Sequence, residues 1–276
     1  MPPHKAIREI DDELQSAERE FRPPRFEIIP VDKLEHSRSW AIYGRSGTGK
    51  TTFAASFPKP LLLLDVQDKG TRSITDVKGI DVAQITHWDQ FEQVHDMLRG
   101  KHKYKSVVID TLTQAQLLSV NRILQNARRP AVVQVDWGTL TRQQWVAVGS
   151  QVKELISLWR NLPLEVCFVA QERNFTFDDD SNSDNQLMPE VGAALTPATA
   201  GHLNACVEII ANCFIKTHKR TDEKKRTTVR MTHSMRLGPN PIYTTKVRKP
   251  IAIELPSEVD NPTHDIVVDI IEGRTE

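Results

Sequence analysis

Apolar residues along this chain fall into short runs separated by amphipathic stretches. Trp40, Ala41, Ile42 and Tyr43 form a brief strand that runs straight into a glycine-rich turn, and residues 50–56 open a helix that Pro58 stops. Four leucines, Leu61 to Leu64, end in Asp65. A continuous apolar run of this kind is the pattern of a strand buried on both faces, as in a parallel sheet. Val107, Val108 and Ile109 repeat it and end in Asp110; residues 165–170 repeat it again and end at Gln171. Residues 81–85 are a further strand candidate.

Between these runs the apolar spacing lengthens to that of a helix. Phe91, Val94 and Leu98 line one helical face, preceded by a capping-box pattern at residues 86–89 and closed by Gly100. A helix is predicted over residues 112–127. Trp145, Val148, Val152, Leu155, Trp159 and Leu162 mark a long amphipathic helix ended by Pro163. Residues 128–141, with Pro130 and Gly138, read as a loop, and the acidic residues 178–185 as another. Further on, residues 207–215 read as a strand, 216–226 as a basic turn and 227–232 as the return strand, with later strands over 242–246 and 251–255.

Strands alternating with helices predict one α/β domain with a mainly parallel central sheet flanked by helices. The later hairpin adds antiparallel strands in the C-terminal part. The core is expected over residues 26–258, after a charged extension at 1–25 whose Ile7, Ile10, Leu14 and Ala17 form a weak helical stripe. Residues 259–276 are expected as a C-terminal tail.

Charge narrows the function classes. Lys+Arg and Asp+Glu are both 36, so the formal net charge is zero. A salt-driven nucleic-acid binder is usually clearly basic, so any DNA contact here has to come from a local patch. Cys167, Cys206 and Cys213 lie in apolar stretches without metal-ligand spacing and read as free thiols in a reducing compartment. No apolar run approaches the roughly 20 residues that span a bilayer, and the N-terminus has no apolar signal region. The expected location is the cytoplasm, with no membrane partner.

The chemistry concentrates at Gly44-Arg45-Ser46-Gly47-Thr48-Gly49-Lys50-Thr51, a full match to the P-loop pattern G-x-x-x-x-G-K-[ST] between a strand and a helix. Glycines let the backbone curl until successive N–H groups point at phosphate oxygens. The helix N-terminus adds its positive end. Lys50 brings a charge to the β- and γ-phosphates, and Thr51 a hydroxyl to the metal; Thr52 continues the cradle. The expected cofactors are ATP and Mg²⁺. Asp110, closing an apolar strand, fits a Walker B carboxylate on that Mg²⁺; the alternative is an aspartate that caps the next helix.

With these residues in place the chain resembles the RecA-like P-loop ATPases, and most of all their small core-only branch encoded by bacteriophages, which act in recombination or single-strand annealing. The resemblance spans about residues 38–256. It rests on the P-loop, on residues 52–65, on Val108-Ile109-Asp110-Thr111-Leu112-Thr113, on Asp136-Trp137-Gly138, on Gln171-Glu172 and on Thr245-Lys246-Val247-Arg248. It implies that Gln171 senses the γ-phosphate, where the plain alternative is a strand-end glutamine facing solvent. It also implies that Lys246 and Arg248 reach the ATP site of a neighbouring subunit, where the alternative is a solvated basic edge strand. The active form would then be a homo-oligomer, ring or filament. One position departs from the family pattern: where Asp-x-Glu is usual, the chain has Asp65-Val66-Gln67. An amide orients water but does not take its proton. Asp65, Asp68 or Glu172 then has to serve as base, or turnover is slow.

The same resemblance places single-stranded DNA against two loops, residues 128–142 and 173–196. The first offers Arg128, Arg129, Arg142 and Trp137 as a stacking platform. The second offers Arg173, Phe175 and Phe177 but also Asp178, Asp179, Asp180 and Asp184. A further basic cluster, from Lys216 through Lys219, Arg220, Lys224, Lys225 and Arg226 to Arg230, is either a solvated hairpin tip or a backbone contact. The leading expectation is an ATPase acting on single-stranded DNA in phage recombination or annealing, with a phage single-strand-binding protein as a further partner. The alternatives are a nucleotide-dependent assembly module with little turnover, such as a replisome accessory, and a ring-helicase-like motor.

Overall fold

The computed structural model describes residue 30 and residues 37–67, 70–134, 138–175, 190–221 and 227–274. The following account concerns the unit Ser37–Glu276. The expected extension at 1–25, the Asp136-Trp137 pair and the acidic loop at 178–185 lie outside the described residues.

The chain runs through β1 (Ser39–Gly44), α1 (Lys50–Ala54), β2 (Leu61–Asp65), a 3-10 turn (Gly70–Ile74), β3 (Ile80–Gln84), α2 (Gln90–Arg99), β4 (Ser106–Asp110) and α3 (Leu112–Asn126). It continues with α4 (Arg142–Trp159), β5 (Glu165–Phe175), β6 (Glu190–Ala193), α5 (Pro197–Cys206), β7 (Ile209–Thr221), β8 (Thr227–Arg236), β9 (Lys246–Val247), β10 (Glu258–Asp260) and α6 (His264–Glu272). The main sheet has the order β10-β8-β7-β1-β5-β4-β2-β3. From β7 to β3 every pair is parallel; β8, β9 and β10 join antiparallel, and β6 turns back on the tip of β5. The expected mainly parallel sheet with antiparallel strands toward the C-terminus is therefore what forms.

The continuous apolar runs are buried on both faces, and the pleat sorts them. Leu62, Leu64, Val107, Ile109 and Phe168 pack with Leu118, Val152 and Trp159 of α3 and α4. Leu61, Leu63, Val108, Cys167 and Val169 pack with Phe53 of α1, Phe57 and Val267 of α6. Side chains alternate along a strand. Asp65, Asp110 and Gln171 continue the second series, so all three emerge on the face that carries α1.

Helix α3 leaves the C-terminal end of β4 and α4 enters the N-terminal end of β5, so both run antiparallel to the strands. Ser119 donates to Gln151 Oε1 (2.7 Å) between them. The segment between them climbs back to the P-loop end of the sheet, anchored by reciprocal Asn121–Val132 hydrogen bonds and buried Leu140. Thr141 then starts α4 with a full capping box to Gln144.

Four local expectations are corrected. Residues 216–221, read as a turn from their charge, continue β7 as a ribbon with β8 out to Thr221; a two-stranded ribbon in solvent does not need apolar residues on both faces. Residues 251–255 form no strand, and 242–246 shrink to a Tyr243–Val191 bridge and the start of β9. The capping pattern at 86–89 sits one residue later, with the Gln90 side chain accepting from the Thr86 and His87 amides. The expected tail at 259–276 includes part of β10 and all of α6, because Val267, Val268 and Ile271 have a core face to fill. Glu165 holds that corner together, accepting from Trp40 Nε1 (2.7 Å) beside His264 (3.6 Å) and Arg38.

Candidate functional site

Gly44 closes β1 against β7. A Cβ at this position would lie 2.2 Å from the Cys213 carbonyl oxygen, so no other residue fits. Beyond it Gly47 and Gly49 take left-handed φ of 80° and 86°, which curls the backbone over the start of α1. Thr48 fixes the curl by donating its hydroxyl to the Arg45 carbonyl at 2.9 Å. The first N–H groups of a helix have no partner within it and face outward.

Lys50 is buried and folds back under the loop. Its Nζ donates to the carbonyls of Gly44 (2.9 Å) and Arg45 (2.8 Å) and lies 3.4 Å from Gln171 Oε1. Thr51 Oγ1 donates to Asp110 Oδ2 at 2.7 Å. Strand β5 stands between β1 and β4, so its tip delivers Gln171 between the P-loop and Asp110. The Gln171 backbone N–H donates to Thr113 Oγ1 at 3.1 Å, which fixes that tip. These groups border a cleft of about 440 Å³ whose wall also includes Ser46, Thr52, Gly70, Ser73 and His233.

The donor set fits a nucleoside triphosphate with its metal. A hydroxyl and a carboxylate in contact are hard oxygen ligands of the kind Mg²⁺ takes, the remaining positions being filled by phosphate oxygens and water. The glycine backbone and the Lys50 ammonium supply what the phosphate chain needs. Beneath them burial pushes the Cys213 thiol up to about 12, with Lys50 pulling the other way. That sulfur stays a neutral packing group.

The candidate bases separate clearly. Asp65 is buried and pairs in register with Asp110 on the neighbouring strand, on the α1 face. Gln67 is exposed, with a φ of 59°. Glu172 is held on the far side of β5, where its carboxylate meets Arg45 Nε (3.3 Å) and accepts from Asn212 Nδ2 (3.3 Å). It braces the P-loop from behind. Asp68 lies outside the described residues.

Lys246 and Arg248 sit away from this cleft. Strand β9 pairs with Ile209 and Ile210 and runs away from the P-loop end of the sheet. Lys246 Nζ donates to the Asn204 (2.7 Å) and Ala205 (3.2 Å) carbonyls, closing the C-terminus of α5. Burial, followed by the like charge of Arg248, holds its pKa below the ordinary lysine value. Arg248 is exposed, and its backbone N–H donates to the Glu208 carbonyl.

Of the expected DNA residues, Arg142 at the start of α4 and Arg173 on β5, opposite Gly192 of β6, are exposed at the P-loop end of the sheet. Arg128 is exposed, while Arg129 donates to the Thr139 carbonyl (3.0 Å) across its own loop. Lys216 faces Glu258 (3.2 Å) and Asp260 (3.6 Å) and is neutralised there. The side chains of Lys219, Arg220, Lys224, Lys225 and Arg226, and those of Phe175, Phe177 and Trp137, are outside the described residues.

Sequence reading did not find Gly70, Ser73 or His233. Gly70 is tight against the Thr51–Asp110 pair: a Cβ there would be 3.3 Å from Thr51 Oγ1 and 3.8 Å from Asp110 Oδ2. A glycine soon after Asp65 was a usable signal. His233 arrives from the distant strand β8 and has no local one. Among the described residues no helix is long and apolar enough to cross a membrane.

The chain matches a family described as the AAA domain over residues 36–260. No curated protein matches it.

Proposed function

The chain belongs to the AAA domain family and is a P-loop NTPase, and on that premise we propose that it is a Mg²⁺-dependent, RecA-like ATPase that assembles on single-stranded DNA in phage recombination or annealing. The observation that carries the ATPase reading is the 2.7 Å hydrogen bond from Thr51 to Asp110, with Gln171 beside Lys50. It brings a hydroxyl, a carboxylate, an ammonium and a side-chain amide into one cleft, which supports that reading. Bound Mg²⁺ would draw charge from the phosphate chain as the terminal bond breaks. Around it, Lys50 offsets phosphate charge, Gln171 orients the attacking water and Asp65 takes its proton. The exposed Arg142 and Arg173 support a DNA backbone contact at the same end of the sheet.

The test is the ATPase rate with and without single-stranded DNA, alongside the mass of the assembly. Stimulation by DNA is expected, with DNA affinity falling steeply as salt rises. No binding at low salt in the presence of an ATP analogue would sink the DNA reading.

Arg248 is the proposed contact to the next subunit's ATP site, since it is exposed and turned away from its own cleft. Lys246, engaged on α5, positions β9 rather than reaching across. Arg248→Ala is expected to keep ATP binding and to lose about 10³-fold in hydrolysis, the scale of an arginine finger. Mixing it with Lys50→Ala protein restores part of the activity, each variant lacking a different half of the site. A mixture as inactive as its components argues against action between subunits.

A second reading, a nucleotide-dependent assembly module with little turnover, is favoured by one observation. Gln67, at the usual glutamate position, faces solvent.

A further inference from the structure

The ribbon of β7 and β8 continues past the edge of the sheet. Strand β7 pairs with β1 only from Ile209 to Asn212, but with β8 from Asn212 to Thr221. One of its faces can be followed by register. Cys213 opposite Met235 is buried under α1, among the residues that pack with Phe53. The next pair on that face is Ile215 opposite His233, and the next is Thr217 opposite Met231. His233 stands against the P-loop, its Nδ1 3.1 Å from where a Gly49 Cβ would be, and it lines the phosphate cleft with Thr52. Beside and beyond it three apolar residues lie open on this face, Ile215 41% exposed, Met231 69% and Val229 51%, with Thr217 and Lys219 at the facing positions of the last two. An apolar strip on a solvent-exposed ribbon is costly unless something covers it.

The cleft fixes what lies where. Asp110 and Gly70 crowd one end around Thr51, with Gln171 on the neighbouring Lys50, the end that suits the metal and the terminal phosphate. His233 enters over Gly49 and shares the cleft wall with Thr52, one residue further along the helix start, the direction in which a phosphate chain continues into its nucleoside. We propose that the β7–β8 ribbon is the nucleoside wall of the site. His233 is a polar ligand of the nucleotide, and the strip of Ile215 and Met231 covers the base. The proposal rests on the P-loop reading above. A base is flat and apolar on its faces, so it suits such a strip; a phosphate chain alone gains nothing from it.

That contrast supplies the test: calorimetric titration of Mg-ATP and of Mg-tripolyphosphate into the full-length protein and three variants. Lys50→Ala is expected to weaken both ligands by about 100-fold. Met231→Asp, at an exposed position that the fold does not depend on, is expected to weaken ATP about tenfold and leave tripolyphosphate unchanged. His233→Ala is expected to weaken ATP by a similar factor. In a parallel measurement 8-azido-ATP should crosslink to the peptide holding Met231. If Met231→Asp and His233→Ala bind ATP within twofold of the parent while Lys50→Ala does not, the nucleoside wall is wrong and the phosphate cradle stands. The strip would then face another partner, such as a second copy of the chain. If the parent binds neither ligand, the cradle itself is wrong and the wall falls with it.

Discussion

Lys50→Ala is expected to lower the affinity for Mg-ATP by about 100-fold, the scale of charge-assisted hydrogen bonds to a phosphate chain. The structure explains why the loss should be confined to binding. Lys50 Nζ now donates to the Gly44 and Arg45 carbonyls inside the loop. Lys50 itself lines the cleft, so its removal lets water enter from that side and take the place of the ammonium on these carbonyls. The P-loop backbone itself is held by other contacts: Gly44 against Cys213, Thr48 on Arg45, and Glu172 on Arg45 from behind. Thermal unfolding without nucleotide should therefore change little. The shift that ATP induces should disappear, since ligand stabilisation scales with the logarithm of ligand concentration over Kd and reaches about 2.7 kcal/mol at 100 times Kd. Unchanged ATP affinity in the variant would remove the central claim.

Much of this site was legible because its parts are local or periodic. The P-loop is contiguous, and its three glycines each answer a backbone need that only glycine meets well. Asp65, Asp110 and Gln171 each end an apolar run. Counting back along each run by twos puts all three on one face once the register of the strands is known, which the structure supplies. The sequence alone did not rank the candidate bases. Glu172 looked equivalent to Asp65 until β5 was seen to turn it to the far side, onto Arg45 and Asn212. Lys246 looked free to leave the chain because nothing local marks the C-terminus of α5 as its partner.

The larger omissions share a cause. Helix α5 was not anticipated although Thr196 and Pro197 are a start signal, because its apolar residues show little one-sided spacing. Helix α6 falls in the expected tail although Thr263 caps it and Val267, Val268 and Ile271 recur at helical intervals. A nine-residue helix is marginal alone. It forms because the sheet beneath β1 has an apolar face to cover, which is a tertiary fact. The β7–β8 ribbon is the opposite case: charge pointed to a turn, while pairing along its length holds it extended.

The other large effect expected is on chemistry at Asp65. Asp65→Asn keeps size and polarity but removes the capacity to accept a proton, so hydrolysis should fall by about 10²- to 10⁴-fold with ATP affinity nearly unchanged. The paired measurement is Gln67→Glu, which restores the glutamate usual at that position. Gln67 is exposed here, so the new carboxylate should leave the rate where it was. Single-turnover hydrolysis of the parent and both variants, with binding measured separately, distinguishes the two readings of the protein. A collapse with Asp65→Asn and no gain with Gln67→Glu places the base on β2, beside the metal carboxylate. The reverse pattern, a slow parent indifferent to Asp65→Asn and accelerated by Gln67→Glu, means that the chain lacks a base and that Gln67 moves into the cleft when nucleotide binds. In that case nucleotide occupancy, rather than hydrolysis, is what the P-loop reports to the rest of the assembly. Thr51 and Asp110, 2.7 Å apart, would then serve to hold the metal with the bound nucleotide and not to support its hydrolysis.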